Sequence, residues 1–209
     1  MRFLFFLFFL LCGLKACTQQ ISQRDGQYEL LWQEDFNGRA IDETSWTKIA
    51  RVPYAWGRYM SANSRLYRVR NGYLRLYARR NKGIEPTDTA SYLTGGVSTQ
   101  GHINITYGKV EVKARIKGAQ GTWPAIWLLV NKPVSTEDER YSEIDIIEYI
   151  NRDDYVYQTV HSSYTLHRNN DDKHSVTAKI NFEKWNTYAA EILPNEVILS
   201  VNGIETFRY

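Results

Sequence analysis

The chain has 209 residues, of which 43% are hydrophobic, 23% are charged and 14% are aromatic, and its formal net charge is +3. This length and apolar content suffice for one domain with a buried core, so the chain need not be disordered. Two cysteines, Cys12 and Cys17, are the whole cysteine content.

The first sixteen residues have the pattern of an export signal. Arg2 precedes an apolar run over residues 3–11, and the segment ends on a small residue, Ala16. The run is about ten residues long, half of the roughly twenty that a membrane-spanning helix needs. Removal of Arg2 and Lys15 with the signal lowers the net charge from +3 to +1. Composition therefore provides no case for a nucleic-acid partner, which needs a clustered basic footprint.

The residues around the predicted cleavage point indicate a lipid anchor. Leu14-Lys15-Ala16-Cys17 resembles a bacterial lipoprotein cleavage box, in which Cys17 becomes the acylated N-terminus. Simple secretion is the alternative, because Lys15 stands where such boxes usually carry a small residue. We therefore expect a signal peptide at residues 1–16, a membrane anchor at Cys17 and a location in the bacterial cell envelope, at the outer membrane or cell surface. Cys12 leaves with the signal, so no intrachain disulfide is available.

Strand patterns dominate after a short polar segment. Residues 17–28 predict a tether, and residues 29–209 predict a single domain. Apolar and charged residues alternate along residues 109–117, which is typical of a half-buried antiparallel strand. Residues 73–79 repeat this pattern after an Asn71-Gly72 turn.

The remaining strand candidates predict the fold class. Turn signals such as Asn202-Gly203 separate them. Helix-period stretches are scarce, so we expect an all-β fold, an antiparallel β-sandwich. The last return strand reaches the end of the chain without a turn, and we expect further C-terminal strands to be missing. The candidates are 29–33, 92–99, 123–130, 142–150, 155–164, 174–180, 187–193, 196–201 and 204–209.

The segment 142–150 reads Ser-Glu-Ile-Asp-Ile-Ile-Glu-Tyr-Ile, and its isoleucines favour a strand. On a regular strand Glu143 and Asp145 share one face, whereas Glu148 points into the core. Burial of an unpaired carboxylate costs at least several kcal/mol. A β-bulge at residues 146–147 removes this conflict, because one extra residue turns Glu148 to the face of the other two acids.

Three carboxyl groups in a row on one sheet face are unfavourable for folding, because like charges repel. Repulsion raises at least one pKa and separates the group into an ionised and a protonated member. Retaining glycosidic cleavage requires such a pair, a nucleophile and a general acid about 5–5.5 Å apart. Glu143 and Glu148 lie farther apart than this along a strand, so their side chains must converge. A strand bearing solvated acids is the alternative that spacing alone leaves open.

The motif Glu-Ile-Asp-Ile-Ile-Glu resembles the catalytic signature of glycoside hydrolase family 16, in its bulged form E-x-D-x-x-E. Further blocks resemble the same family, and together they cover about residues 29–205. These blocks are Leu-Trp-Gln-Glu-Asp-Phe-Asn-Gly at 31–38, Ser-Trp at 45–46, Tyr-Gly-Lys-Val-Glu-Val-Lys-Ala-Arg at 107–115, Gly-Thr-Trp-Pro-Ala-Ile-Trp at 121–127 and Thr-Val-His at 159–161.

The resemblance implies a concanavalin-like jelly roll with a concave substrate cleft and no cofactor. Glu143 matches the family's nucleophile, Glu148 its acid/base, and Asp145 the residue that orients and tunes the nucleophile. The expected activity is endo-acting, retaining hydrolysis of a β-linked polysaccharide, a β-1,3-glucan or related β-glucan. Galactose-containing glycans, algal galactan or host O-glycan, are the alternative substrates. A non-catalytic surface glycan-binding lipoprotein and a purely structural sandwich are the alternatives of other classes.

Four further residues are candidates for sugar binding beside the acids. Trp123 and Trp127 lie two pleats apart on one face, and Tyr141 shares the face of Glu143. Flat rings in such places stack on sugar C–H faces, and packing into a core is their alternative role. His161 lies on a strand that we expect beside the catalytic one. It either supports Glu148 or contacts sugar, or it is a partly buried histidine satisfied by a neighbour.

Trp56 is the fifth sugar-binding candidate, in a region that differs from known glucanase members of the family. The stretch Glu-Leu-Gln-Tyr-Tyr-Thr is absent there, and residues 63–67 read Asn-Ser-Arg-Leu-Tyr instead. The exact polymer therefore stays open. The acidic run at residues 137–139 could form a calcium site or a basic-partner site, although a solvated loop explains it better, and the sequence leaves a metal site undetermined.

Overall fold

The computed structural model describes residues 21–24, 27–132, 134–167 and 173–209. Within these ranges the chain is almost entirely β-structure, with one short helix, α1 (Ser163–His167), and one 3-10 turn (Ser64–Leu66). The strands are β1 (Ile21–Arg24), β2 (Gln27–Leu30), β3 (Thr47–Lys48), β4 (Tyr67–Val69), β5 (Leu74–Leu76), β6 (Ala78–Arg80), β7 (Tyr92–Thr94), β8 (Val97–Ser98), β9 (Gly108–Ala114), β10 (Ala125–Leu129), β11 (Ser142–Glu148), β12 (Tyr155–Ser162), β13 (Ser175–Lys179), β14 (Asn186–Ile192), β15 (Val197–Val201) and β16 (Ile204–Arg208).

Two antiparallel sheets form the sandwich. One has six strands in the order β16-β15-β14-β9-β1-β2, and the other has four in the order β10-β11-β12-β13. Three two-stranded ladders, β3 with β8, β4 with β5 and β6 with β7, accompany them. The predicted all-β, antiparallel sandwich is confirmed.

Apolar side chains from both sheets make one core, which holds the layers together because burial removes this surface from water. The alternation predicted for residues 109–117 places Val110 and Val112 of β9 on one face, although the strand ends at Ala114. The buried members of the core are Ile144, Ile146, Ile147, Tyr149, Val156, Val160 and Ala178 from the four-stranded side and Tyr188, Ala190, Leu199, Val201 and Phe207 from the six-stranded side.

The predicted strand over residues 92–99 is two strands, β7 and β8, with Gly95 and Gly96 between them. At Gly95 the backbone passes close to the carbonyl oxygen of Leu66, and a Cβ there would lie only 2.9 Å from it. This close approach requires glycine and separates the strand into two short ladders.

The tether prediction is wrong where the structure describes it. Residues 21–24 and 27–30 form the antiparallel hairpin β1–β2, and Ile21 pairs with Lys109 at the edge of the six-stranded sheet. Main-chain pairing forms this ladder, and the polar composition of the segment concealed it. The predicted signal at residues 1–16 and the anchor residue Cys17 lie outside the described residues.

None of the helices in the described ranges is long and apolar enough to cross a membrane. At the other end of the chain, β16 is an edge strand of the six-stranded sheet. The expectation of further C-terminal strands beyond it stays a prediction.

Candidate active site

Strand β11 carries the predicted bulge. Between Asp145 and Glu148 it advances three residues while β12 advances two, and the pairing with β10 skips Ile146. Ile146 and Ile147 are both fully buried, so two consecutive side chains enter the core. Because of this extra residue, Glu148 returns to the outer face of the sheet with Glu143 and Asp145.

The three acids differ in burial, and the most buried of them has a raised pKa. Asp145 is only 4% exposed, whereas Glu143 and Glu148 are half-buried. Burial, and then the charges of Glu148 and Glu143, raise the pKa of Asp145 to about 8. The expected raised pKa is therefore present in the group, and it belongs to the central member, which is neutral at pH 7.

Two aromatic residues that we expected to bind sugar also bond to the glutamates. The hydroxyl of Tyr141 donates to Oε2 of Glu143 at 2.6 Å, and Nε1 of Trp123 donates to Oε1 of Glu148 at 2.7 Å. Burial and the neighbouring Glu143 raise the pKa of Tyr141 above its ordinary value, so its hydroxyl stays a donor. Hydrogen bonds to carboxylates are short and strong, and these two orient the glutamates.

His161 lies opposite Glu143 in the ladder between β11 and β12. Its Nε2 is 3.4 Å from Oδ2 of Asp145, and its Nδ1 is buried without a hydrogen-bond partner among the described residues. The strand register thus places the ring of His161 beside Asp145, and its role in the site stays a prediction.

Three of these side chains could hold a metal ion. Ligand atoms of Glu143, Asp145 and His161 lie within 4.8 Å of one another, and carboxylate with imidazole is a ligand set for transition metals. The acidic run at 137–139 is a loop in which Arg140 binds Asp138 at 2.6 Å. This pairing holds the pKa of Asp138 at about 2.

A row of aromatic rings begins at Trp127 of β10, next to the acids, and continues to Trp56 and Tyr54 in the segment between β3 and the 3-10 turn. Trp127 pairs with Asp145 across the ladder between β10 and β11, and the ring of Trp56 meets it edge-on at 5.4 Å. Tyr54 stacks on Trp56 with 6.4 Å between ring centroids. Tyr54 is not among the residues predicted from the sequence, although its place two residues before Trp56 is a usable signal. Tyr54 and Trp56 expose 64% and 37% of their surface.

The raised pKa of Asp145 predicts a loss of stability as pH rises. A carboxyl group whose pKa is about 4 in the unfolded chain and about 8 when folded stabilises the fold below pH 4 and ceases to do so above pH 8. We expect the free energy of unfolding to decline across this window, and Asp145→Asn to remove most of the decline. Urea unfolding at half-unit pH steps measures it. Asp138→Asn is the control and should keep the decline, because Asp138 titrates near pH 2.

Fold and site together define the class of this protein. An antiparallel β-sandwich that groups carboxyl groups and exposed rings on one sheet face has the layout of a carbohydrate-active β-sandwich. The chain belongs to glycosyl hydrolases family 16, whose family model matches residues 55–209.

Individual relatives support this assignment. The chain is 31% identical to a keratan-sulfate endo-1,4-beta-galactosidase of Sphingobacterium multivorum over 87% of its own length, and it spans 43% of that protein. It is 28% identical to a beta-glucanase of Rhodothermus marinus over 100% of its length and spans 75% of that protein. The solved laminarinase from Rhodothermus marinus superposes with a TM-score of 0.75 at 27% identity, covering 87% of this chain and 74% of the laminarinase. The predicted jelly-roll sandwich is confirmed by this likeness.

Proposed function

We propose that this protein is a retaining, endo-acting glycoside hydrolase that cleaves β-linked polysaccharide by double displacement. The bulge in β11 carries the proposal, because it places Glu143, Asp145 and Glu148 on one face of the sheet. A fold needs no such grouping of acids, whereas a retaining mechanism needs two carboxyl groups close to one glycosidic bond.

Each acid then has a separate role. Glu143 attacks the anomeric carbon and forms a glycosyl–enzyme ester, while Glu148 gives its proton to the leaving oxygen. Glu148 next takes a proton from water, and the water oxygen displaces Glu143. Asp145, neutral at pH 7, orients Glu143 without adding a third negative charge. The bonds from Tyr141 and Trp123 hold the two glutamates in place.

The proposed substrate is a β-1,3-glucan or a related β-glucan. Similarity to a beta-glucanase and to a laminarinase of Rhodothermus marinus supports this choice. The relative from Sphingobacterium multivorum, with a higher identity of 31%, favours a galactose-containing glycan as the second candidate. The altered stretch around Trp56 is compatible with either polymer.

A panel of purified glycans separates these candidates. Laminarin, mixed-linkage glucan, agarose-type galactan and keratan sulfate are each incubated with the protein, and new reducing ends are counted. We expect oligosaccharides from laminarin or mixed-linkage glucan. Products only from the galactose-containing chains establish the second candidate, and binding without any cleavage establishes a glycan-binding protein instead.

The exposed rings of Tyr54 and Trp56 are proposed to stack on sugar units next to the cleaved bond. Replacing Trp56 with alanine removes this surface, and we expect KM to rise by about tenfold with kcat nearly unchanged. Initial rates on the best glycan of the panel measure the effect. Trp185→Ala is the matched control, because Trp185 is 40% exposed and precedes β14 of the six-stranded sheet. Equal KM changes in both variants would contradict the assignment.

Export and lipid anchoring complete the proposal. We infer from residues 1–17 that the signal is removed before Cys17 and that the mature protein is held in the cell envelope by a lipid on this residue. Mass spectrometry of the mature protein should find acylated Cys17 at its N-terminus. Cys17→Ser should abolish membrane fractionation, whereas Cys12→Ser should not. Equal membrane recovery of both variants would contradict the anchor at Cys17, and recovery of the unmutated protein in the soluble fraction would indicate simple secretion.

A further inference from the structure

A fully buried amide side chain lies beneath the candidate active site. Gln158 belongs to β12, where Val156 and Val160 on either side of it also face the core. Its exposed fraction is 0%. A polar group in such surroundings is unfavourable unless its hydrogen bonds are made, so its partners identify its role.

The hydrogen-bond partners of Gln158 lie in two bulges, one in each sheet. Its Nε2 donates at 3.0 Å to the carbonyl oxygen of Ile146, the extra residue of the bulge in β11. Its Oε1 accepts at 2.5 Å from the hydroxyl of Thr206. Thr206 is itself the extra residue of an irregularity in β16, where the pairing with β15 shifts between Leu199 and Ser200.

We propose that Gln158 is a positioning residue that fixes the bulge of β11 and thereby keeps Glu148 on the face of Glu143. It acts through the Ile146 carbonyl and touches no substrate. This inference rests on the proposed hydrolase function, in which Glu148 is the proton donor.

The position of the bulge explains why loss of Gln158 should displace Glu148 and leave Glu143 and Asp145 in place. The extra residue of a bulge leaves the regular ladder, and a buried carbonyl there needs another donor. Without Gln158, β11 can relax by moving its extra residue toward the C-terminal end of the strand, past Glu148. A shift of one residue turns a side chain to the opposite face. Glu143 and Asp145 precede the bulge and stay on the outer face of the sheet. Glu148 follows the bulge and turns toward the core.

Two substrates with different leaving groups detect such a selective loss. Glycan cleavage needs a proton for the leaving oxygen, whereas a 2,4-dinitrophenyl glycoside of the same sugar does not. The ratio kcat/KM reports on steps up to leaving-group release. For Gln158→Met, similar in size but without the donor, we expect kcat/KM to fall about 100-fold on glycan and to stay within about threefold on the dinitrophenyl glycoside.

Asn186→Leu is the matched control. Asn186 is another buried amide, on β14, whose Nδ2 donates to main-chain carbonyls of Asn181 and Lys184. Its loss should lower stability without changing the ratio between the two substrates. Thr206→Val conserves volume and removes the hydroxyl that bonds to Gln158, which also lies 3.0 Å from the carbonyl oxygen of Leu199. Thr206→Val should also lower kcat/KM more on glycan than on the dinitrophenyl glycoside, but by a smaller factor than Gln158→Met. It takes the place of Gln158→Met if that variant does not fold.

Hydrogen exchange separates failure of this inference from failure of the proposed function. In Gln158→Met, or in Thr206→Val, amides of residues 146–148 should exchange at least about tenfold faster, with β14 amides unchanged. If the unmutated protein cleaves no glycan, the proposed function fails and exchange alone decides the role of Gln158. Unchanged exchange at residues 146–148, or equal losses on both substrates, overturns the positioning role.

Discussion

Glu143→Gln is expected to abolish glycan cleavage, with kcat lower by about 10⁴-fold or more, because an amide cannot attack the anomeric carbon. Glutamine has nearly the size of glutamate, and its amide oxygen can still accept the Tyr141 hydroxyl that now bonds to Glu143. The variant should therefore fold with little change in Tm. Counting reducing ends from the preferred glycan, together with thermal unfolding, measures both quantities.

An exposed acid in the preceding loop provides the control for this first variant. Glu137→Gln makes the same chemical change outside the site and should retain full activity. Oligosaccharide release that persists in Glu143→Gln at more than a few per cent would rule out Glu143 as the nucleophile. Loss of activity in both variants would point to a general effect of charge rather than to covalent catalysis.

Glu148→Gln is expected to reduce cleavage according to the leaving group. On glycan, kcat/KM should fall by about 10²–10⁴-fold, because general acid catalysis contributes that much to such reactions. A dinitrophenyl glycoside needs no proton, so its kcat/KM should change little. Hydrolysis of the glycosyl–enzyme ester also loses its base, and a burst of dinitrophenolate should precede a slow steady state.

Stopped-flow absorbance with the two substrates measures this difference. Trp123 donates to Glu148 and can donate to a glutamine oxygen as well, so the indole should keep its place. An equal loss on both substrates, or the absence of a burst, would contradict the acid/base assignment. The same selectivity, at a smaller size, is the signature expected of Gln158→Met, which links the buried amide to this acid.

Residue chemistry predicted the central strand in detail. The cost of burying Glu148 required a bulge at residues 146–147, and the ladders with β10 and β12 shift there. Alternation along residues 109–117 likewise predicted β9. These predictions succeeded because period and polarity act locally, within one strand.

Three features, the hairpin at residues 21–30, the neighbour of His161 and the role of Gln158, were not predicted from the sequence, and each has a physical reason. The polar segment at residues 21–24 was interpreted as a tether because main-chain pairing leaves no mark in side-chain composition. The sequence leaves the neighbour of His161 open, because the register between strands decides that the ring lies beside Asp145. Gln158 could have been identified from the sequence, because it is a polar residue at an inward position between two valines of β12.

The fold class, the bulge and the face that the three acids share follow from local pattern, because strand periodicity and the cost of buried charge depend on neighbours along the chain. The raised pKa of Asp145, in contrast, follows from its burial and from the charges of Glu148 and Glu143 beside it, which depend on how the strands pack. The tertiary structure also decides that Tyr141 and Trp123 hold the glutamates and that Gln158 joins two bulges. Such contacts depend on how strands distant in the chain stack, and distance and burial between layers are not encoded in any local pattern.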